Sequence, residues 1–183
     1  MIIHNLRLEG AFLAETTPFV DKRGAFSRLF SMDELSNILS GRQIDSINLS
    51  KTTACGTVRG LHFQYPPKSE MKLARCLRGA VFDVIVDIRA NSPTFLQWLG
   101  VELSESNMKM IVIPEGFAHG FQTLCDNSEM LYLHTESYQP GFEGALNYRD
   151  PALNVQWPLA VTEISDKDNA TEFIDNNFKG VKL

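Results

Sequence analysis

Apolar and polar positions alternate along residues 82–89, FDVIVDIR. Phe82, Val84, Val86 and Ile88 face one way and Asp83, Ile85 and Asp87 the other, which is the period of a β-strand. The runs LGVEL, MIVIP, HGFQTL and EMLYLHTESY follow, separated by the turn-forming groups Asn-Ser-Pro, Ser-Glu-Ser-Asn, Pro-Glu-Gly and Asp-Asn-Ser. Short strands at this spacing predict an all-β sandwich or barrel rather than βαβ units. Upstream, VRGLHFQYPP (58–67) reads as a strand entering a proline-stopped turn, with His62 on the face opposite Leu61 and Phe63. Two short flanking helices are predicted. Ser31-Met32-Asp33-Glu34 has a capping-box pattern before Leu35, Ile38 and Leu39, with Gly41 as the stop. A second begins near Ser165-Asp166-Lys167-Asp168. With no internal repeat, linker or low-complexity segment, the pattern predicts one domain over 1–183, with a short helical extension from about residue 165.

Composition narrows the classes. The 183 residues are 44% apolar and 21% charged, enough for a sizeable core. A net charge of −5, with no Lys/Arg stripe, argues against nucleic-acid binding. An acidic protein still holds an anionic small molecule where a few cations converge, and Arg23, Arg59, Lys72 and Lys167 are the candidates. Cys55, Cys76 and Cys125 are an odd count without a CxxC pair, which favours free thiols and a reducing cytoplasm. The segment MIIHNLRLEGAF has no basic leader or long apolar core, so no secretory signal is expected, and no apolar run reaches membrane-span length.

A histidine among apolar strand residues is a satisfied core residue, a metal ligand or a base. For metal, Pro114-Glu115-Gly116-Phe117-Ala118-His119 is similar to the second motif of the cupins, a superfamily of β-barrels. The first cupin metal motif supplies two histidines one residue apart and a later glutamate, whereas here His62 stands alone before Phe63 and Gln64. His134 is a possible third ligand that no spacing demands, so no bound metal is expected. For a base, an imidazole works near neutral pH when a carboxylate fixes its tautomer, and Asp83, Asp87 and Asp168 are possible partners. Asp168 has a competing role, since Ser165-x-x-Asp168 is itself a helix-start pattern, and the residues alone favour that cap. Tyr132, His134, Glu136 and Tyr138 share one face of a regular strand, a polar stripe suited to lining a pocket.

The succession FVDKRGAF, VRGLHFQ, KLARCLRGAVFDVIVDIRANSPTF, IPEGFAHGFQTL, LYLHTESYQP, Asp150-Pro151, Trp157-Pro158 and ISDKD resembles the dTDP-4-dehydrorhamnose 3,5-epimerase family from about Phe19 to about Asp168. These are metal-free cupins that act on nucleotide-linked 4-keto-6-deoxysugars. The resemblance implies a jelly-roll cupin barrel, normally a homodimer, with no redox cofactor. It makes His62 the base, Tyr132 the acid on the opposite face of the sugar, and Asp168 the partner of the histidine. It places Lys72 beside the C4 oxygen, puts Arg23, Arg59, His119, Glu143 and Lys167 at substrate contacts, and gives Tyr138 the ring near the nucleobase. The chain departs from the family at Arg28 (usually Glu), at Ser46 (usually Gln), at Lys68-Ser69-Glu70-Met71 and at Ser137. Arg28 and Ser46 fall in the region associated with the nucleotide, which leaves dTDP, CDP or another nucleotide as the carrier.

Overall fold

A computed structural model describes residues 1–183. The strands are β1 (Ile2–Asn5), β2 (Phe12–Glu15), β3 (Phe19–Asp21), β4 (Gly24–Phe26), β5 (Ser46–Thr52), β6 (Val58–Gln64) and β7 (Lys72–Arg78). They continue as β8 (Ala80–Asp87), β9 (Trp98–Ser104), β10 (Lys109–Ile113), β11 (Phe117–Thr123), β12 (Ser128–His134) and β13 (Glu143–Ala145). Two four-residue helices complete the chain, α1 (Ser36–Leu39) and α2 (Asp166–Asn169). No helix is long and apolar enough to cross a membrane.

The strands pair antiparallel into a six-stranded sheet, β1-β2-β10-β7-β12-β5, and a five-stranded sheet, β13-β6-β11-β8-β9, while β3 and β4 form a separate hairpin. Consecutive strands repeatedly change sheet, as the jelly-roll expectation requires. The alternation in 82–89 has a direct structural counterpart. Val81 and Ile85 enter a core with Leu13, Ala74, Ile111, Phe121 and Met130, drawn from both sheets. Val84, Val86 and Ile88 face the other way, onto a layer with Leu153 and Val181 against which Trp157 and Phe178 pack. A third cluster joins Leu35 and Leu39, around α1, to Leu73, Met110 and Val112 of the six-stranded sheet. Apolar side chains fill one end of the space between the sheets, and the other end is a cavity of about 890 Å³.

Two expected elements are shorter than predicted. Glu34 donates its amide to Ser31 Oγ at 3.4 Å, half of a capping box, but its carboxylate is taken by Arg28 and by the terminal amine. The reciprocal cap is lost and the helix starts only at Ser36, ending on Ser40 in the left-handed conformation. β12 stops at His134, since the Thr135 amide turns to donate to Met71 O (3.1 Å), so Glu136 and Tyr138 reach the cavity from a turn rather than from the strand.

One close approach positions the site. Gly60 has φ +123°, and a Cβ there would lie 2.5 Å from Gly120 Cα and 2.8 Å from His119 O. Both obstacles are backbone, so neither moves aside. Gly60→Ala is expected to cost about 3 kcal/mol or more in urea denaturation, combining a strained φ with overpacking. Gly24→Ala, at φ +129° with open space around it, is the control and should cost only about 1–2 kcal/mol for the backbone.

Candidate active site

The cavity lies between facing sheets, and each contributes its own chemistry. His62 on β6 and His119 on β11 are direct register partners, so both imidazoles line the cavity from the five-stranded sheet. His62 Nε2 is 2.7 Å from Asp168 Oδ1, across 106 residues of chain. A carboxylate can only accept, so Nε2 carries the hydrogen and Nδ1 is left with the lone pair. The other oxygen, Oδ2, accepts from the Gly60 amide at 3.2 Å. The cap competition is resolved by division of labour. Ser165 Oγ caps α2 by accepting from the Asp168 amide (3.1 Å), and the Asp168 carboxylate turns away to His62. Burial works to raise the Asp168 pKa, but the bonds to His62, Gly60 and Ser165 and the nearby imidazole charge outweigh it and hold it below the usual carboxylate range. The His62 side chain stays 47% exposed, open to the cavity.

Of the other suggested carboxylate partners, Asp83 belongs to His119, with Oδ2 2.8 Å from Nε2 and both residues buried. Asp87 lies outside the cavity lining, bound by Arg89 Nη2 (2.7 Å) and by Ser92 Oγ and Thr94 Oγ1 (2.6 Å each).

The six-stranded sheet supplies Tyr132, whose Oη lies 3.2 Å from Ser50 Oγ. Burial raises the Tyr132 pKa well above the ordinary phenol value, so the hydroxyl keeps its proton at neutral pH. Beside it, Lys72 and His134 are register partners on β7 and β12. Glu70 serves both, with Oε1 2.9 Å from Lys72 Nζ and Oε2 2.7 Å from His134 Nδ1. The three cavity histidines His62, His119 and His134 therefore each hold a different carboxylate.

At the mouth, Tyr138 Oη donates to Glu143 Oε1 (3.2 Å), and Lys167 Nζ is 3.9 Å from the same oxygen. Arg59 lines the cavity with Nε donating to Thr52 Oγ1 at 3.0 Å. Ser46 lines the cavity too. Arg23 is outside it, at the β3–β4 turn and 83% exposed, bound to Asp21 at 2.6 Å. Arg28 is also outside, paired with Glu34 at 2.9 Å. Cys76 is buried, and burial pushes its thiol up to about 11, which suits a packing residue. All three cysteines are free thiols.

Three participants were missed in the sequence. Ser50 reaches Tyr132 only through the β5–β12 pairing, which leaves no local signal. Gln64, whose Oε1 accepts from the Gln139 amide at 3.0 Å, ties β6 to the turn carrying Tyr138. Glu70 did have a signal, since it lies two residues before Lys72 and shares its face at strand period.

Together these groups place a carboxylate-paired imidazole on one wall and, on the facing wall, a protonated phenol together with a lysine paired with Glu70. Residues 5–176 match the family described as dTDP-4-dehydrorhamnose 3,5-epimerase. The chain is 40% identical over 178 residues to the dTDP-4-dehydrorhamnose 3,5-epimerase of Salmonella typhimurium, covering 96% of both chains. Among solved structures it is similar to the Legionella pneumophila 3,5-epimerase in complex with dTDP-4-keto-L-rhamnose, at TM-score 0.91 and 36% identity, covering 100% of this chain and 98% of that one. It is also similar to a 3'-monoepimerase from Streptomyces bikiniensis in complex with dTDP-quinovose, at TM-score 0.86 and 29% identity, covering 93% and 86%.

Both Asp168 and Glu70 are held below their ordinary pKa, so the stability they contribute is full above the unfolded-state value near pH 4. It is lost as pH falls through the lower folded value. In thermal melts from pH 6 to 3, Asp168→Asn is expected to weaken the acid-side fall in Tm. An acid slope identical to that of the unaltered protein overturns the assignment.

Proposed function

Because the chain belongs to the dTDP-4-dehydrorhamnose 3,5-epimerase family, we propose that it inverts C3, C5 or both in a dTDP-linked 4-keto-6-deoxyhexose, of the type that converts dTDP-4-dehydro-6-deoxy-D-glucose to dTDP-4-dehydro-L-rhamnose. The observation that supports this most is the placement of two opposed proton-transfer groups. His62 stands on the five-stranded sheet, paired with Asp168 of α2, and the protonated Tyr132 on the six-stranded sheet across the cavity.

In this reading the His62 lone pair takes the hydrogen from the carbon beside the ketone. The C–H pair moves into a carbon–carbon double bond, and the carbonyl pair moves onto the C4 oxygen. Asp168 stabilises the imidazolium that forms, a general-base role worth roughly 10²–10⁴ in rate. Lys72 donates to the developing oxyanion, and one such donor contributes on the order of 10²–10³. Tyr132 then returns a proton to the opposite face and the configuration inverts. The substrate neither gains nor loses electrons, so the step calls for no redox cofactor. His119, with Asp83 behind it, binds the sugar. Arg59 and Lys167 meet the diphosphate, and Tyr138 and Glu143 hold the nucleoside at the mouth. The single-centre epimerase among the structural relatives makes the number of centres inverted a quantity to be measured.

The test is deuterium incorporation from D₂O into dTDP-4-keto-6-deoxyglucose, read by NMR at C3 and C5. His62→Ala is expected to abolish wash-in at both carbons while nucleotide-sugar binding survives. Tyr132→Phe should retain exchange with configuration preserved, because His62 hands the proton back to the face it left, and inversion should fall much further. Inversion at the unaltered rate in Tyr132→Phe removes Tyr132 from the mechanism, and persistent exchange in His62→Ala removes His62.

The working unit in this proposal is a homodimer in the cytoplasm, supplying a deoxysugar for surface polysaccharide or another glycosylated product. The free thiols suit a reducing compartment. The β3–β4 hairpin exposes Phe19 by 76% and Phe26 by 75%, an apolar arm that a second copy would cover. Arg23, at the tip of that arm, then meets substrate in the partner's cavity. Light scattering is expected to give twice the chain mass. The double substitution Phe19→Asp and Phe26→Asp should yield monomers with at least about tenfold lower kcat/KM, the loss of an interface-held contact. A monomeric unaltered protein sinks the dimer, and a fully active double variant sinks the role of the arm.

A further inference from the structure

Glu70 has no part in the proton transfers described above, yet its side chain is 8% exposed inside the pocket wall. Both its oxygens are committed, Oε1 to Lys72 at 2.9 Å and Oε2 to His134 at 2.7 Å. Since Lys72 and His134 are register partners, the three side chains close a triangle on one sheet. Burial opposes ionisation of Glu70, but the His134 hydrogen bond and the Lys72 charge outweigh it and keep the carboxyl below its usual range. The neighbouring carboxylates have other owners. Asp168 pairs with His62, Asp83 with His119 and Glu136 with Lys68. Lys72 makes its ion pair with Glu70 alone.

A lysine carries its charge on a flexible four-carbon stem, so an unrestrained ammonium follows whichever anion is nearest. In a cavity built for a diphosphate that is a liability. We propose that Glu70 is a positioning residue that pins the Lys72 ammonium where the C4 oxygen of the sugar gains charge, with His134 holding the second carboxylate oxygen so that the anchor cannot swing. The inference rests on the reading of Lys72 as the donor to that oxygen. One ammonium hydrogen goes to Glu70 and two remain for substrate. The oxygen is a weak acceptor as a ketone and a strong one as an enolate, so the benefit of a fixed donor is realised mostly in the transition state. Its loss therefore falls on kcat rather than KM.

A double-mutant cycle in the deuterium wash-in assay tests this. Glu70→Gln keeps shape and burial while removing the charge, and is expected to lower kcat about 10–100-fold with KM within about threefold. Lys72→Met should lower kcat on the order of 10²–10³-fold. If Glu70 acts through Lys72, adding Glu70→Gln to Lys72→Met costs no more than about twofold further. A Glu70→Gln loss of the same factor in both backgrounds, or one confined to KM, overturns the inference, as does an unchanged kcat. An unchanged kcat in Lys72→Met instead overturns the reading of Lys72 itself. Should Glu70→Gln fail to fold, Glu70→Asp, which keeps the charge and withdraws it by one methylene, takes its place in the cycle.

Discussion

The constraint on which this site depends is the cost of placing carboxylates between two packed sheets. Asp83, Glu70 and Asp168 are all largely withdrawn from solvent. An ionised carboxylate survives there only with hydrogen-bond donors or cations against it. Each of the three is met by an imidazole, and Glu70 also by Lys72. The same pairings orient the rings, so one set of contacts both compensates the withdrawn charges and fixes which way each imidazole faces. The β6–β11 approach at Gly60 is part of this, because it gives Asp168 a backbone donor as well as an imidazole.

The fold was legible in the sequence to the extent that it is written in local periodicity. The alternation of Val84, Val86 and Ile88 against Ile85 divides two cores as expected. Helix ends were less legible. Whether Ser31 and Glu34 complete a cap depends on whether Arg28 and the amino terminus claim the glutamate, and that is a tertiary fact. For the site, the residues in the matching segments also proved to be neighbours. His62, Lys72, His119, Tyr132, Tyr138, Glu143, Lys167 and Asp168 line one cavity. The contacts that depend on pairing between distant strands, such as Ser50 with Tyr132, have no signature in either segment alone. Arg23 shows the converse. Its segment fits the family pattern, while within one chain its side chain faces Asp21 and solvent.

The two facing sheets bring different polar groups to the cavity. The five-stranded sheet brings the imidazoles of His62 and His119 to the cavity, while the six-stranded sheet brings the Tyr132 phenol, the Lys72 side chain and the His134 imidazole. In the proposed reaction a sugar lying between them meets a base on one side and an acid on the other. Neither group would then have to travel for the configuration at a carbon to change.

The contact between His62 and Asp168 joins the middle of the chain to its last short helix. That helix has four residues, and the segment after it is held to the barrel by side chains such as Ile174, Phe178 and Val181, by hydrogen bonds from Asn147 to Thr171 O and from the Ile174 amide to Asp150, and by backbone bonds of Val181 with Ile88 and Ala90. Displacement of α2 alone would take the Asp168 carboxylate from His62 without breaking a single strand pairing in either sheet.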